Sequence, residues 1–136
     1  MMRVTHVARG KFSVEIKPQR DPTVADGVSL GRMSLAKQIE GDLVATSTGE
    51  MLSALTPVRG SAGYVAIERV TGTLNGLDGS FVLQHTGTMD GGAQQLSITI
   101  VPDSGTAALA GIRGDFRLRI EAGQHYYELE YSLPAP

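Results

Sequence analysis

The sequence predicts an all-β fold, a single antiparallel barrel of about eight strands, on three observations. Apolar and polar residues alternate with a period of two through almost every segment between glycines, the pattern of strands with one buried face. Glycine is abundant, at 17 residues in 136, and recurs in dipeptides that supply the positive φ angles of tight hairpins. No segment carries a convincing helical period, and closing a meander of this many strands removes the exposed edges of an open sheet. A two-sheet sandwich is the alternative architecture.

Along the chain, Phe12, Val14 and Ile16 form the first apolar row. Lys17 to Gly31, with Pro18, Asp21, Pro22 and Asp26, reads as a long loop. A turn at Gly41-Asp42 then aligns Val44 and Glu50 with Met33, Leu35 and Ile39, and Leu55 to Gly63 is a second long loop. The row Tyr64, Ala66, Glu68, Val70 passes through Asn75-Gly76 to Phe81, Leu83 and His85, and these pass through Asp90-Gly91 to Leu96, Ile98 and Ile100. Phe116, Leu118 and Ile120 follow, and after Gly123-Gln124 the last row is Tyr127, Leu129, Tyr131 and Leu133. Neither long loop has a linker's composition, and half the chain would bury too little on its own, so residues 1–136 form one domain. An echo of the pattern Leu-x-Gly-aliphatic-x-Gly-x-Phe links Leu74–Phe81 to Leu109–Phe116. With no Walker lysine and no following helix, it reads as repeated hairpin chemistry rather than a phosphate loop.

Composition narrows the function classes. There is no cysteine, which excludes disulfides, thiolate nucleophiles and Cys-based zinc sites. Lys and Arg number 12 against 14 Asp and Glu, a net charge of -2, so no counterion-release drive toward nucleic acid exists. The start, Met1 to His6, lacks the apolar core of a signal peptide, and no apolar run approaches membrane-spanning length. The expectation is a cytoplasmic protein with neither nucleic acid nor membrane as partner. His6, His85 and His125 show no metal-ligand spacing, so no metal or other cofactor is expected. No Gly-x-Ser-x-Gly elbow supports serine hydrolase chemistry.

Strand parity locates the candidate site. A two-residue turn at Asp90-Gly91 pairs His85 with Leu96, Leu83 with Ile98 and Phe81 with Ile100, and an even turn at Asn75-Gly76 adds Glu68 to that apolar face. Glu68 and His85 then look into the barrel together, within hydrogen-bonding reach. A buried acid beside an imidazole is costly unless the two pair, so the pair either carries acid–base work or polar-group recognition, or ties the core together. Phe81, Tyr127 and Tyr131 complete the inward aromatic set available to a ligand, core packing being the plainer role for the tyrosines. Glu50 is a further ligand-binding candidate or a solvated rim residue. The opposite face, with Ile67, Thr71, Thr86, Ser97 and Thr99, suits solvent or a second copy of the chain, and self-association is expected.

The runs Tyr64-Val65-Ala66-Ile67-Glu68-Arg69-Val70-Thr71-Gly72 and Gly79-Ser80-Phe81-Val82-Leu83-Gln84-His85-Thr86-Gly87-Thr88 closely resemble a family of small bacterial proteins catalogued as a domain of unknown function. The resemblance continues through Val101–Thr106 and Leu109–Gly114 to His125–Leu129, and is looser over the first forty residues. That family is similar to the allene oxide cyclase-like barrels, in which eight antiparallel strands surround an apolar cavity. The Gly-Thr-rich run before Gly111-Ile112-Arg113-Gly114 also resembles plant dirigent proteins. The resemblance implies a fold. Allene oxide cyclases close a ring in a fatty-acid epoxide, but none of their active-site residues has a counterpart here, and the chain has no cysteine.

Three readings follow: a barrel that binds a small, mostly apolar molecule, an isomerase or cyclase using Glu68 and His85 in the same cavity, and a solid barrel that serves as an interaction protein. Cavity volume separates the third from the others, and conversion of the ligand separates the second from the first.

Overall fold

Four hairpins turn on pairs of residues with positive φ: Asp26-Gly27, Asn75-Gly76, Gly91-Gly92 and Ala122-Gly123. This is the two-residue type I′ geometry whose twist matches the strands it joins. The computed structural model describes residues 3–135, so Met1 and Met2 of the amino-terminal segment, and Pro136, lie outside it. Its strands are β1 (Arg3–Pro18), β2 (Thr23–Ala25), β3 (Val28–Gly41), β4 (Leu43–Leu55), β5 (Ala62–Leu74), β6 (Leu77–Asp90), β7 (Ala93–Ile100), β8 (Arg113–Glu121) and β9 (Gln124–Pro134). The sheet order is β1-β9-β8-β7-β6-β5-β4-β3-β2, and pairing of β1 with β3 closes eight of these strands into a barrel with β2 appended. Phe12 sits at the closure, opposite Ile39 on one side and His125 on the other.

Several sequence expectations need correction. Lys17 to Gly31 is mostly strand: β1 runs to Pro18, and β2 and β3 form a hairpin on Asp26-Gly27. The β6–β7 turn is Gly91-Gly92, one residue later than Asp90-Gly91, so His85 faces Ile98 and Leu83 faces Ile100. Two consecutive positive φ angles cost least at two glycines. Because this slip moves the register by two residues, every side chain keeps its face. The β8–β9 turn is likewise Ala122-Gly123, not Gly123-Gln124. At β3–β4 the slip is odd: Ile39 faces Ala45 and Met33 faces Met51, which turns Val44 and Glu50 outward. The repeated motif is a hairpin only in its first copy. The second begins in a one-turn 3₁₀ helix, Ala107–Leu109.

That second copy closes one end of the barrel. Leu109 and Ile112, in the β7–β8 connection, are fully buried against the core. The connection is fastened to β6 by backbone bonds from Thr106 N to Ser80 O and Val101 N to Val82 O. Burial along the inward rows reveals the other end. Phe12, Phe116 and Ile98 are buried, whereas Ile16, Ile120 and Leu96 on the same rows are about half exposed. One half of the barrel is therefore solid core and the other half is open. Between β7 and β8 the ladder has a single pairing, Thr99 with Asp115, so the wall is thinnest there.

Candidate functional site

Period two on four adjacent strands carries the polar residues inward to one level of the barrel. Lys37 stands between Leu35 and Ile39 on the inward row of β3 and faces Ser47 of β4. Gly49 of β4 faces Glu68 of β5, and Ala66 of β5 faces His85 of β6. Gly49 is a steric requirement: a Cβ there would meet Ile67 O and come within 2.7 Å of Glu68 Cα, so only glycine lets β4 and β5 approach around the Glu68 side chain.

The Glu68 carboxylate is sealed, with a side-chain exposure of 0%. Its Oε2 accepts from His85 Nε2 at 2.6 Å and from Lys37 Nζ at 2.9 Å. Glu68 and His85 therefore meet inside the barrel, as parity requires. Burial pushes the Glu68 pKa up, but the His85 hydrogen bond, followed by the charge and hydrogen bond of Lys37, outweighs it and holds the carboxyl down at about 2. Since the carboxylate can only accept, His85 Nε2 carries a proton. The other ring nitrogen, Nδ1, lies 3.4 Å from the Tyr64 hydroxyl. Burial and the Glu68 charge raise the Tyr64 pKa, so the phenol stays a donor. Lys37 Nζ also lies 4.9 Å from the centroid of the Phe12 ring, in cation–π range. Ser47 Oγ and Glu68 Oε1 are buried without a hydrogen-bond partner among the described residues.

Above this level the barrel surrounds an open-ended cavity of about 450 Å³, walled by residues of all eight barrel strands from Phe12 of β1 to His125 of β9. Lys37, His85 and Tyr64 reach its surface, whereas Glu68 lies behind them and lines none of it. The rest of the wall is chiefly aliphatic and thioether, including Leu35, Met51 and Met89. Of the groups at this level that face a guest, the Lys37 ammonium and the Tyr64 hydroxyl are hydrogen-bond donors, while His85, its Nε2 proton given to Glu68, presents an acceptor at Nδ1. Glu68 serves as the buried anion that orients His85 and compensates Lys37, and a carboxylate held at about pKa 2 is a weak proton acceptor near neutral pH.

The remaining sequence candidates stand elsewhere. Phe81, Tyr127 and Tyr131 are buried in the solid half and line no part of this cavity. The Tyr127 hydroxyl donates to Glu40 O at 2.9 Å and accepts from Leu43 N at 3.0 Å, which ties the β3–β4 corner to β9. The Tyr131 hydroxyl accepts from Asn75 Nδ2 at 2.6 Å. Glu50 is on the outer surface, paired with Arg32. Lys37 escaped the sequence reading, although its place between Leu35 and Ile39 was the signal that could have found it. A larger outer groove of about 760 Å³ crosses β1, β8 and β9, but its Arg9 and Lys11 are already in ion pairs with Glu128 and Glu40. Among the described residues no cluster of three or more His, Asp or Glu could hold a metal ion, and no helix is long and apolar enough to cross a membrane.

Residues 8–131 match the family model described as a protein of unknown function, DUF3224. A crystal structure of a protein of unknown function from that family, from Shewanella oneidensis MR-1, is similar over 97% of this chain and 100% of its own, with 47% sequence identity and a TM-score of 0.92. No curated protein matches the chain.

Proposed function

The chain belongs to the DUF3224 family, and we propose that it is a binding barrel that holds a small, mostly apolar molecule in the open half. The observation that carries this reading is the cavity itself: about 450 Å³, its wall chiefly aliphatic and thioether, with the Lys37 ammonium and the His85 ring among its few polar groups. Sites for small molecules have this size and this balance, an apolar wall that supplies affinity and a few placed polar groups that fix orientation. Apolar side chains that line an open pocket instead of meeting one another forgo burial that a guest would supply. Native mass spectrometry of freshly purified protein tests the reading. The expected result is a bound mass that is released on unfolding and identified as one apolar compound or a narrow set. A protein that arrives empty and also refuses small apolar probes would refute it.

A second reading, isomerisation or cyclisation in the same cavity, is supported by the chain Glu68–His85–Tyr64, which runs from the sealed carboxylate to the cavity surface. In that case His85 is the proton-transfer group and Glu68 positions it. The bound compound separates the readings: it is recovered unchanged from a binder and converted by an enzyme. His85→Gln would then abolish conversion while leaving capture intact.

A further inference from the structure

We infer that the molecule held in the cavity carries a carboxylate, seated against Lys37 and Tyr64. This rests on the proposed binding role and adds the chemistry of the guest's polar end. The first observation is the sign of the wall. Among the described residues no Asp or Glu lines the cavity, while the Lys37 ammonium does. Glu68, the single buried acid among the described residues, lines none of the cavity, whereas its partner Lys37 does. The Lys37–Glu68 pair is thus a dipole whose positive end faces the guest. At short range the nearer charge dominates.

The second observation is spare donor capacity at the cavity surface, which the unpartnered Glu68 Oε1 and Ser47 Oγ, neither on residues of the cavity wall, do not take up. An ammonium group offers three N–H bonds and accepts none. Lys37, only 5% exposed, uses one of them on Glu68 Oε2, and Nζ makes no other hydrogen bond among the described residues. The Tyr64 hydroxyl, 3.4 Å from His85 Nδ1, can turn toward the same space. Donors buried without acceptors are costly, and a carboxylate, with two oxygens and about four lone-pair positions, can satisfy more than one of them. An ammonium guest would set like charge against Lys37, and an alcohol or amide would bring fewer acceptor positions and no charge.

The test uses three probes on one skeleton, 4-phenylbutanoate, 4-phenylbutanamide and 4-phenylbutylamine, titrated calorimetrically into the wild-type chain. The acid is expected to bind at least about tenfold more tightly than the amide, the size of one charge-assisted hydrogen bond, and the amine most weakly. In the double variant Lys37→Met/Glu68→Gln, which leaves no uncompensated buried charge, acid and amide should bind alike. Should that variant fail to fold, Tyr64→Phe, at the half-buried cavity surface, should weaken the acid several-fold more than the amide. Equal binding of acid and amide by the wild type, or preference for the amine, would overturn the carboxylate while leaving an apolar binding cavity. Binding of none of the three would overturn the cavity reading and the inference together.

Discussion

Lys37 and Glu68 exist as buried ions only because each has the other. Removing one partner of such a pair leaves a desolvated charge, which typically costs about 3–5 kcal/mol, whereas removing both is far milder. Lys37→Met and Glu68→Gln should each lower the free energy of unfolding by roughly 3 kcal/mol, and the double variant by clearly less than the sum. Urea unfolding of the four proteins measures this, and additive losses would show that the 2.9 Å contact couples nothing. The Glu68 carboxylate also sets a pH dependence, through the His85 hydrogen bond first and Lys37 second. The Glu68 pKa is depressed on folding, from an ordinary value of 4.5 to about 2, so the unfolded chain binds the proton more readily. The stabilisation is therefore complete above about pH 4.5 and is lost as pH falls through about 2. The stability gap between wild type and Glu68→Gln should narrow by on the order of 3 kcal/mol across that window. A gap that stays constant from neutral pH to pH 2 would mean that Glu68 is not held ionised.

Among the four hairpin turns the weakest local choice is Ala122, whose φ of 49° places a Cβ in the left-handed region at a cost of about 1–2 kcal/mol. Ala122→Asn, which restores the Asn-Gly preference of a type I′ turn, should stabilise the protein by on the order of 1 kcal/mol, read as a higher urea midpoint with unchanged slope. An unchanged midpoint would place the strain elsewhere. The turns also explain what the sequence disclosed. Asn75-Gly76 was legible outright, and it alone puts Glu68 and His85 on one face. At β6–β7 the choice between Asp90-Gly91 and Gly91-Gly92 was locally ambiguous, but the two registers share parity, so the face assignment survived. At β3–β4 it did not. That corner is no type I′ hairpin: Gly41 has a positive φ but Asp42 does not. Its shape is held by Asp42 bonding to the Arg9 backbone and by Tyr127 bridging Glu40 and Leu43. Those partners lie 33 and 84 or more residues away, beyond any local pattern, and the resulting odd register moved Glu50 to the outside. Lys37 was legible by parity from Leu35 and Ile39, but a lysine suggests solvent unless its buried acid is already known.

For the molecule as a whole, the division into a solid and an open half follows from what stands at each end. The β7–β8 connection inserts Leu109 and Ile112 into one end. Among the described residues no segment does the same at the other, where the inward rows run out into Ile16, Leu96 and Ile120. The Lys37–Glu68–His85 level is the boundary between them. Below it, side chains interdigitate at the density of a protein interior, and added volume has nowhere to go. Above it, added volume displaces only the contents of the cavity. The two halves should therefore answer a similar enlargement in opposite ways. Val70→Phe, at a position 1% exposed in the core, should destabilise by about 1–3 kcal/mol or more through overpacking while leaving the cavity's lining intact. Met51→Phe, on the cavity wall, should leave the unfolding temperature unchanged or slightly higher, because the ring buries apolar surface without displacing packed neighbours, and should abolish binding of the cavity's guest. Thermal unfolding and probe titration on both variants measure the two effects separately. If Met51→Phe unfolds the protein as readily as Val70→Phe, the upper half is as tightly packed as the lower, and the barrel is a solid scaffold with no room for a guest.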